Sequence, residues 1–216
     1  MRDSTAAVVR REDYAAPAFR IREVELSFDL DPAKTIVASR LHIERDPALA
    51  AGQPLVLHGE DLNLLRVMCD GEGLSFRHEN GLLVIDAPPP AERFVLEIRN
   101  TCAPEKNRQL SGLYTSGGGF FTQCEAEGFR RITWFLDRPD VMAVYTVTLR
   151  ADRTKYPVLL SNGNLVAEGL LDGGRHFAKW HDPFPKPSYL FALVAGNLVA
   201  REQRIRARSG REHLLQ

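Results

Sequence analysis

The 216-residue sequence has no net charge, and this absence excludes several classes of partner. Its 28 lysines and arginines balance its 28 aspartates and glutamates. Nucleic acids and anionic membranes attract proteins with a surplus of positive charge, so the balance argues against both. We therefore predict neither a nucleic-acid partner nor a membrane partner.

Long apolar runs and paired cysteines are also missing. A membrane-spanning helix needs about 20 consecutive apolar residues, and no run in the chain approaches that length. The first residues, MRDSTAAVVRR, lack the apolar core of a secretory signal peptide. The cysteines, Cys69, Cys102 and Cys124, are odd in number and form no CxxC pair, which indicates free thiols in a reducing compartment. These features predict a cytoplasmic protein.

A sustained helical period is absent as well, and strand-like alternation takes its place. Residues 24–30 alternate apolar and polar side chains, and residues 37–43 repeat the alternation after a turn at 31–34. A period of two is typical of a strand with one buried face, so these segments are predicted to pair as an antiparallel hairpin. Asn80-Gly81 predicts a second hairpin, since both residues tolerate a positive φ. Further strands are predicted at residues 55–58, 64–68, 74–77, 82–85, 94–98, 144–149, 158–160, 165–171, 175–180 and 189–194.

Short strands separated by frequent turn signals are typical of an all-β protein. We therefore predict layered antiparallel sheets in a β-sandwich-like domain at residues 14–198, preceded by a flexible arm at residues 1–13. The sequence shows no internal repeat and no low-complexity segment.

Residues 109–140 fit this pattern poorly and form the candidate functional stretch. They contain three consecutive glycines at 117–119, the adjacent phenylalanines Phe120 and Phe121, and a polar run at 122–127. Glycines lose much conformational freedom on ordering, so a fold keeps a cluster of them where the backbone needs unusual dihedral angles or a close approach. A binding loop and an ordinary long surface loop both fit this composition.

Four segments, in the same order along the chain, resemble the aminopeptidase N family of zinc metallopeptidases. They are TQCEAEGFR at 122–130 with LDRPD at 136–140, KYP at 155–157 with LLSNGN at 159–164, DPFPKP at 182–187, and YLFALVAG at 189–196. Ordered matches of this length are much more specific than a lone short motif. The resemblance extends from about residue 14 to the end of the chain and is weak before residue 100.

The resemblance implies a zinc enzyme that releases amino-terminal residues from peptides. In that family the carboxylate matching Glu125 binds the free α-ammonium of the substrate, and the glutamine matching Gln123 lines the first specificity pocket. The family also tends to hold the following peptide bond in cis, which implies a cis bond between Glu125 and Ala126. Residues 199–216 would begin a truncated catalytic domain. The chain is then expected to be an amino-terminal fragment that forms one wall of the cleft, with the remaining domains as partners.

Residues that could carry the chemistry itself are missing from the sequence. No HExxH or GAMEN motif is present, and His176 and His181 should face opposite sides of an extended segment that is predicted to break at Asp182-Pro183. Cys124 is predicted to be inert, because it lacks a histidine base and neighbouring carboxylates would raise its pKa. We predict no metal ligand and no catalytic residue in this chain, and zinc only in the complete enzyme. The alternative is a stand-alone β-sandwich binding module without catalysis.

Two charged clusters receive structural interpretations. Asp137, Arg138 and Asp140 are predicted to form a turn with an internal ion pair, and Glu127 is predicted to be structural rather than substrate-binding. The arginines between residues 201 and 211 fit either a basic patch for nucleic acid or phosphate or a solvated strand face, and the zero net charge favours the strand face.

Overall fold

A computed structural model describes residues 10–215 of the chain. Within them, every regular secondary-structure element is a β-strand or a short 3₁₀ turn. Four 3₁₀ turns are present, at Arg11–Asp13, Pro104–Lys106, Phe129–Arg131 and Ser188–Leu190. The strands are β1 (Phe19–Asp29), β2 (Thr35–Arg45), β3 (Leu55–His58), β4 (Asn63–Cys69), β5 (Glu72–Gly73), β6 (Arg77–Glu79), β7 (Leu82–Ile85), β8 (Arg93–Cys102), β9 (Gly112–Ser116), β10 (Gly119–Gln123), β11 (Met142–Asp152), β12 (Val158–Ser161), β13 (Asn164–Leu171), β14 (Arg175–Pro187), β15 (Leu193–Gly196), β16 (Gln203–Arg206) and β17 (Glu212–Leu215). Residues 1–9 of the predicted arm lie outside the described residues.

The predicted hairpin of β1 and β2 lies near the middle of the largest sheet. Alternate residues of both strands are buried, as expected for strands with one face against a core. The turn between them is held by Asp31, whose Oδ1 accepts hydrogen bonds from the backbone nitrogens of Ala33 and Lys34, both at 2.9 Å. A short polar side chain that bonds its own turn in this way explains why the chain reverses here.

Eight strands form the largest sheet, in the order β13-β14-β11-β1-β2-β8-β4-β5. All of its neighbouring pairs are antiparallel except β1 and β11, which are parallel. A four-stranded sheet (β12-β15-β10-β9), a three-stranded sheet (β3-β7-β6) and the hairpin β16-β17 complete the described residues. The prediction of an all-β layered fold is confirmed, with one parallel pairing that the alternation of single strands does not reveal.

One continuous hydrophobic cluster joins the three larger sheets. Trp134, Phe129 and Phe135 are almost completely buried in it. The rings of Phe129 and Phe135 meet edge to face with centroids 4.8 Å apart, and Phe129 also contacts Phe191 edge to face at 5.2 Å. Such pairs contribute beyond simple area burial. The segment after β10 is therefore fixed by its own aromatic residues, and this rigidity matters for the site described below.

The predicted break at Asp182-Pro183 is wrong, because β14 continues to Pro187. The pairing with β11 shifts register here: Tyr145 lies opposite Asp182, and Ala143 lies opposite Lys186. Proline has no N–H to donate, and a bulge in which residues lie outside the ladder accepts it without a lost hydrogen bond. The irregular register thus lets the strand pass through Pro183 and Pro185, which lie between the paired residues Asp182 and Lys186.

Two predicted strands are placed differently in the structure. The strand predicted at 74–77 is absent: residues 74–76 connect β5 to β6, which belong to different sheets, and only Arg77 lies in a strand. The strand predicted at 189–194 begins instead with the 3₁₀ turn Ser188–Leu190, and β15 starts only at Leu193. Asn162 explains the late start, because its Oδ1 accepts the backbone N–H of Ala192 at 2.7 Å and takes that donor away from a ladder.

The hairpin of β16 and β17 occupies most of residues 199–216. Its four register pairs run from Gln203 opposite Leu215 to Arg206 opposite Glu212, and within the described residues it pairs with no other sheet. Both strands of the hairpin are solvent-exposed along their whole length, including Ile205 and Leu214. A domain boundary near residue 199 stays a prediction.

Candidate functional site

The three glycines at 117–119 form a tight hairpin turn rather than the expected loop. Gly117 and Gly118 have φ values of 55° and 81°, and they connect β9 to β10, with Gly119 opposite Ser116. Two successive residues with positive φ match the twist of a two-residue hairpin. The expectation of either a binding loop or a long surface loop is therefore corrected at these positions.

Immediately after β10, residues 124–128 reverse the chain and present the two predicted site residues. Gln123 and Glu125 are both exposed, and Gln123 Nε2 donates a hydrogen bond to the backbone oxygen of Glu125 at 3.3 Å. The peptide bond between Glu125 and Ala126 is cis, as the sequence resemblance predicted. The reversal is closed by the backbone N–H of Gly128, which donates to the oxygen of Cys124 at 2.7 Å. The structure therefore brings the two predicted site residues together on one turn.

Gly128 is required in this turn because no space is left for a side chain. A Cβ atom there would lie 2.3 Å from the backbone oxygen of Gln123 and 2.8 Å from Ser111 Oγ. Real Cβ atoms do not approach other heavy atoms so closely, and at Gln123 the obstacle is backbone. The end of β10 and the start of β9 thus pack directly against the turn, so any movement of Gly128 also moves the residues that carry Glu125.

A buried ion pair anchors the turn from below. Asp137 is 4% exposed, and its Oδ2 accepts from the backbone nitrogen of Arg130 at 3.2 Å and from Arg130 Nε at 3.0 Å. Ser188 Oγ donates to the other carboxylate oxygen at 2.5 Å. The guanidinium of Arg130 also contacts Glu127 Oε1 at 3.2 Å. Arg130 therefore connects the exposed turn to a fully hydrogen-bonded carboxylate in the core, the condition under which a buried charge is tolerated.

A second arginine neutralises the other carboxylates nearby. Arg131 Nη2 lies 2.5 Å from Glu60 Oε2, and its Nη1 contacts Asp61. Together with Arg130, it leaves one carboxylate on the turn without a cation. Within residues 10–215, the Glu125 side chain has no ion pair and no hydrogen bond. The turn thus presents one uncompensated negative charge to solvent.

These contacts test the interpretation of residues 137–140 as a turn with an internal ion pair and of Glu127 as a structural residue. The internal ion pair of the turn is confirmed, with Arg138 Nη2 at 2.7 Å from Asp140 Oδ2. Asp137 does not belong to that pair but to Arg130. Glu127 also bonds Arg130, which agrees with its predicted structural role. Sequence reasoning assigned no role to Arg130, Arg131 or Ser188. The signal for the two arginines is that Arg130 ends the motif at 122–130 and Arg131 follows it.

Cys124 lies under the turn and is 2% exposed. Burial, and secondarily the charge of Asp137, raise the pKa of its thiol well above the ordinary value. A nucleophilic cysteine needs the opposite environment, one that stabilises the thiolate. The contacts and burial agree with the predicted inert thiol.

His176 and His181 are hydrogen-bonded to neighbouring backbone and hydroxyl groups. His176 Nε2 lies 2.8 Å from the backbone oxygen of Tyr156, and His181 Nδ1 lies 3.0 Å from Thr146 Oγ1. Burial, followed by the charge of Arg130, lowers the pKa of His58. In the part of the chain that the structure describes, no three His, Cys, Asp or Glu side chains are grouped in a way that could hold a metal ion. The side chains of residues 10–215 therefore do not fit a zinc site.

Comparison with known proteins identifies relatives of this fold and sequence. Residues 21–190 match the family described as the peptidase M1 N-terminal domain. Aminopeptidase N of Escherichia coli strain K12 is 51% identical over 207 residues, covering 95% of this chain and 23% of that protein. Aminopeptidase A of Legionella pneumophila, solved in complex with aspartic acid, is 34% identical with a TM-score of 0.88, covering 94% of this chain and 24% of that one.

A more distant structure shares the fold alone. It is a mutant M1 zinc metallopeptidase from Deinococcus radiodurans bound to a Tyr-Ser-Ala substrate, with 16% identity and a TM-score of 0.74, covering 91% of this chain and 46% of that one. The chain thus spans about a quarter of the length of its two nearer relatives above.

Proposed function

This chain belongs to the peptidase M1 N-terminal domain family, and we propose that it forms the substrate-amine-binding part of a zinc aminopeptidase. The reaction is hydrolysis of the first peptide bond of a peptide with a free amino terminus. In this proposal the domain forms one wall of the cleft, Glu125 binds the α-ammonium, and Gln123 lines the pocket for the first side chain. Because the chain spans about a quarter of the length of its nearer relatives, the partners of this domain are further domains of the same enzyme.

The observation that carries the proposal is the unpaired carboxylate of Glu125. Glu60, Asp61, Glu127 and Asp137 each lie beside Arg130 or Arg131, whereas Glu125 has no cation beside it among the described residues. A charge-assisted hydrogen bond between a carboxylate and an ammonium group contributes about 1.5–3 kcal/mol. A substrate with a free amino terminus supplies the missing positive charge. An exopeptidase gains specificity from such a contact, since a blocked or internal amide cannot make it.

Gln123 is two residues before Glu125, and its amide contacts the backbone of Glu125. Its amide nitrogen is held by the backbone oxygen of Glu125 at 3.3 Å, which fixes the amide relative to the proposed amine site. The residue is exposed at the end of β10, so its surface is available to a ligand. We propose that it contacts the side chain of the residue to be released.

Zinc enters the proposal through the relatives and not through residues of this chain. The described side chains provide no metal-holding group, so we assign no step of the hydrolysis to them. Their contribution is to bind and orient the substrate. The cytoplasmic location expected from the sequence remains part of the proposal. Within residues 10–215, no helix has the length and apolar character needed to cross a membrane.

The test is the activity of the whole natural protein compared with that of the 216-residue chain. We expect the protein translated from the complete natural reading frame to release alanine from an alanyl substrate in a zinc-dependent reaction. The isolated chain should show no turnover. Zinc-dependent turnover by the isolated chain would contradict the proposed division of roles. Peptide binding without turnover by the whole protein would instead establish the stand-alone binding module.

A further inference from the structure

A groove on the solvent-facing side of the eight-stranded sheet is lined by residues to which the aminopeptidase proposal assigns no role. Its volume is about 390 Å³. Ser27, Ala38, Arg99 and Arg66 follow one another across β1, β2, β8 and β4 in register. Neighbouring strands lie about 4.8 Å apart, so these four side chains form one short row. The small side chain of Ala38 leaves a depression between Ser27 and Arg99.

The acidic residues of the groove are already neutralised. Asp29 is bound by Arg175 through both of its carboxylate oxygens. Glu97 accepts a hydrogen bond from Arg40 Nε at 3.0 Å. Four arginines line the groove against these two carboxylates, so positive charge is left in excess although the chain as a whole is neutral.

The excess charge lies on Arg66, Arg99 and Arg150. Arg66 and Arg99 are directly opposite each other on neighbouring strands, and neither has an ion pair within residues 10–215. Like charges directly opposite each other destabilise a sheet. The guanidinium of Arg150 donates to Ser27 Oγ and also lacks an acidic partner among the described residues. Three arginines without an acidic partner among the described residues thus line one groove.

Ser27 adds a neutral donor to this arrangement. Because its hydroxyl oxygen accepts the hydrogen bond from Arg150, its own proton remains free to donate to a ligand. Guanidinium groups bind carboxylate and phosphate oxygens through paired hydrogen bonds. A small oxyanion would therefore receive donors from several sides and would relieve the repulsion between Arg66 and Arg99.

We propose that this groove binds a small oxyanion, a phosphate or carboxylate group, through Arg66, Arg99 and Arg150. The site lies on a different element from the Glu125 turn and stands independently of the proposed peptidase function. Its ligand is a small molecule, since the groove volume of about 390 Å³ lies within the range of small-molecule sites, about 300–1,000 Å³.

The test titrates the purified 216-residue chain with inorganic phosphate and, separately, with acetate, at constant ionic strength set with chloride. Saturable binding measured by calorimetry, with a dissociation constant of about 1 mM, is expected for at least one of the two anions. The preferred anion distinguishes a tetrahedral from a planar ligand. Arg99→Gln should weaken this binding about tenfold or more. The matched control is Arg93→Gln, on the same strand and sheet face but outside the groove, and it should bind like the wild type.

The thermal stability of each variant without ligand shows whether a loss of anion binding is caused by unfolding. Arg99→Gln should unfold at the same temperature as the wild type or slightly above it, because the repulsion from Arg66 is removed. Equal binding by the wild type and Arg99→Gln would overturn the proposal, as would absence of binding to both anions. Polyglutamate is titrated in the same way as a third probe. Binding to polyglutamate without binding to either small anion would also overturn the proposal and would favour an acidic protein partner.

Discussion

Replacement of Arg130 by methionine tests the claim that a buried ion pair anchors the Glu125 turn. Arg130→Met removes both side-chain contacts to Asp137 and the contact to Glu127. Asp137, at 4% exposure, then keeps only its bonds from Ser188 and from the backbone of residue 130. A buried charge that loses its partner destabilises a protein by about 3–5 kcal/mol.

The expected loss is large enough to measure by two methods. For a domain of this size, each kcal/mol lowers Tm by about 2–4 °C, so Arg130→Met should unfold roughly 6–20 °C below the wild type. Urea denaturation should give the same loss of unfolding free energy directly. The matched control is Arg22→Met, which breaks the exposed pair with Glu44, where Arg22 is 50% exposed. That change should cost less than about 1 kcal/mol.

A double variant separates the unpaired charge from general disruption. Replacing both partners, Arg130→Met with Asp137→Leu, removes the uncompensated carboxylate, so part of the lost stability should return. A loss below about 1 kcal/mol in Arg130→Met would refute the reasoning. A double variant that is less stable than Arg130→Met alone would also contradict it, because the buried charge would then not be the cause.

Two further changes examine the packing and the titration of the site. Gly128→Ala places a methyl group against the backbone oxygen of Gln123 and should lower the free energy of unfolding, measured by urea denaturation, by about 1–3 kcal/mol. The control, Gly73→Ala, has open space around it and should leave that free energy unchanged. Equal effects of the two changes would contradict the close packing. Burial and the charge of Arg130 lower the pKa of His58 in the folded state, so the unfolded chain takes up a proton there more readily once the pH falls below about 6.5. Stability should therefore be fully present above that pH and decrease below it, and His58→Leu should reduce the decrease; an unchanged pH dependence would rule His58 out.

Local sequence patterns were sufficient to predict the strands that have one buried face. Alternation in β1 and β2 specifies both the strand and its buried side, and Asn80-Gly81 specifies its turn because Asn80 and Gly81 take φ values of 51° and 76°. The same reasoning applied to Gly117 and Gly118 would have predicted a hairpin. The resemblance correctly predicted the cis bond at Glu125–Ala126, while the roles of the site residues remain predictions.

Features that depend on distant contacts were not accessible from the sequence. Asp137 and Ser188 are 51 positions apart, and no local pattern indicates that the Ser188 hydroxyl donates a hydrogen bond to the Asp137 carboxylate. Continuation of β14 through Pro183 depends on a register shift in its partner strand β11. The unpaired state of Glu125 likewise follows from where Arg130 and Arg131 are directed, which only the folded chain determines.

The most direct test of the account is the kinetic effect of Glu125→Gln in the complete natural protein. This change keeps the size of the side chain and removes its charge. We expect kcat/KM for a substrate with a free amino terminus to fall about 10- to 100-fold, in line with the loss of one charge-assisted hydrogen bond, with zinc content unchanged. Glu127→Gln, two residues away on the same turn, should leave kcat/KM close to that of the wild type. An unchanged kcat/KM in Glu125→Gln would contradict the assignment of this carboxylate to the substrate amine.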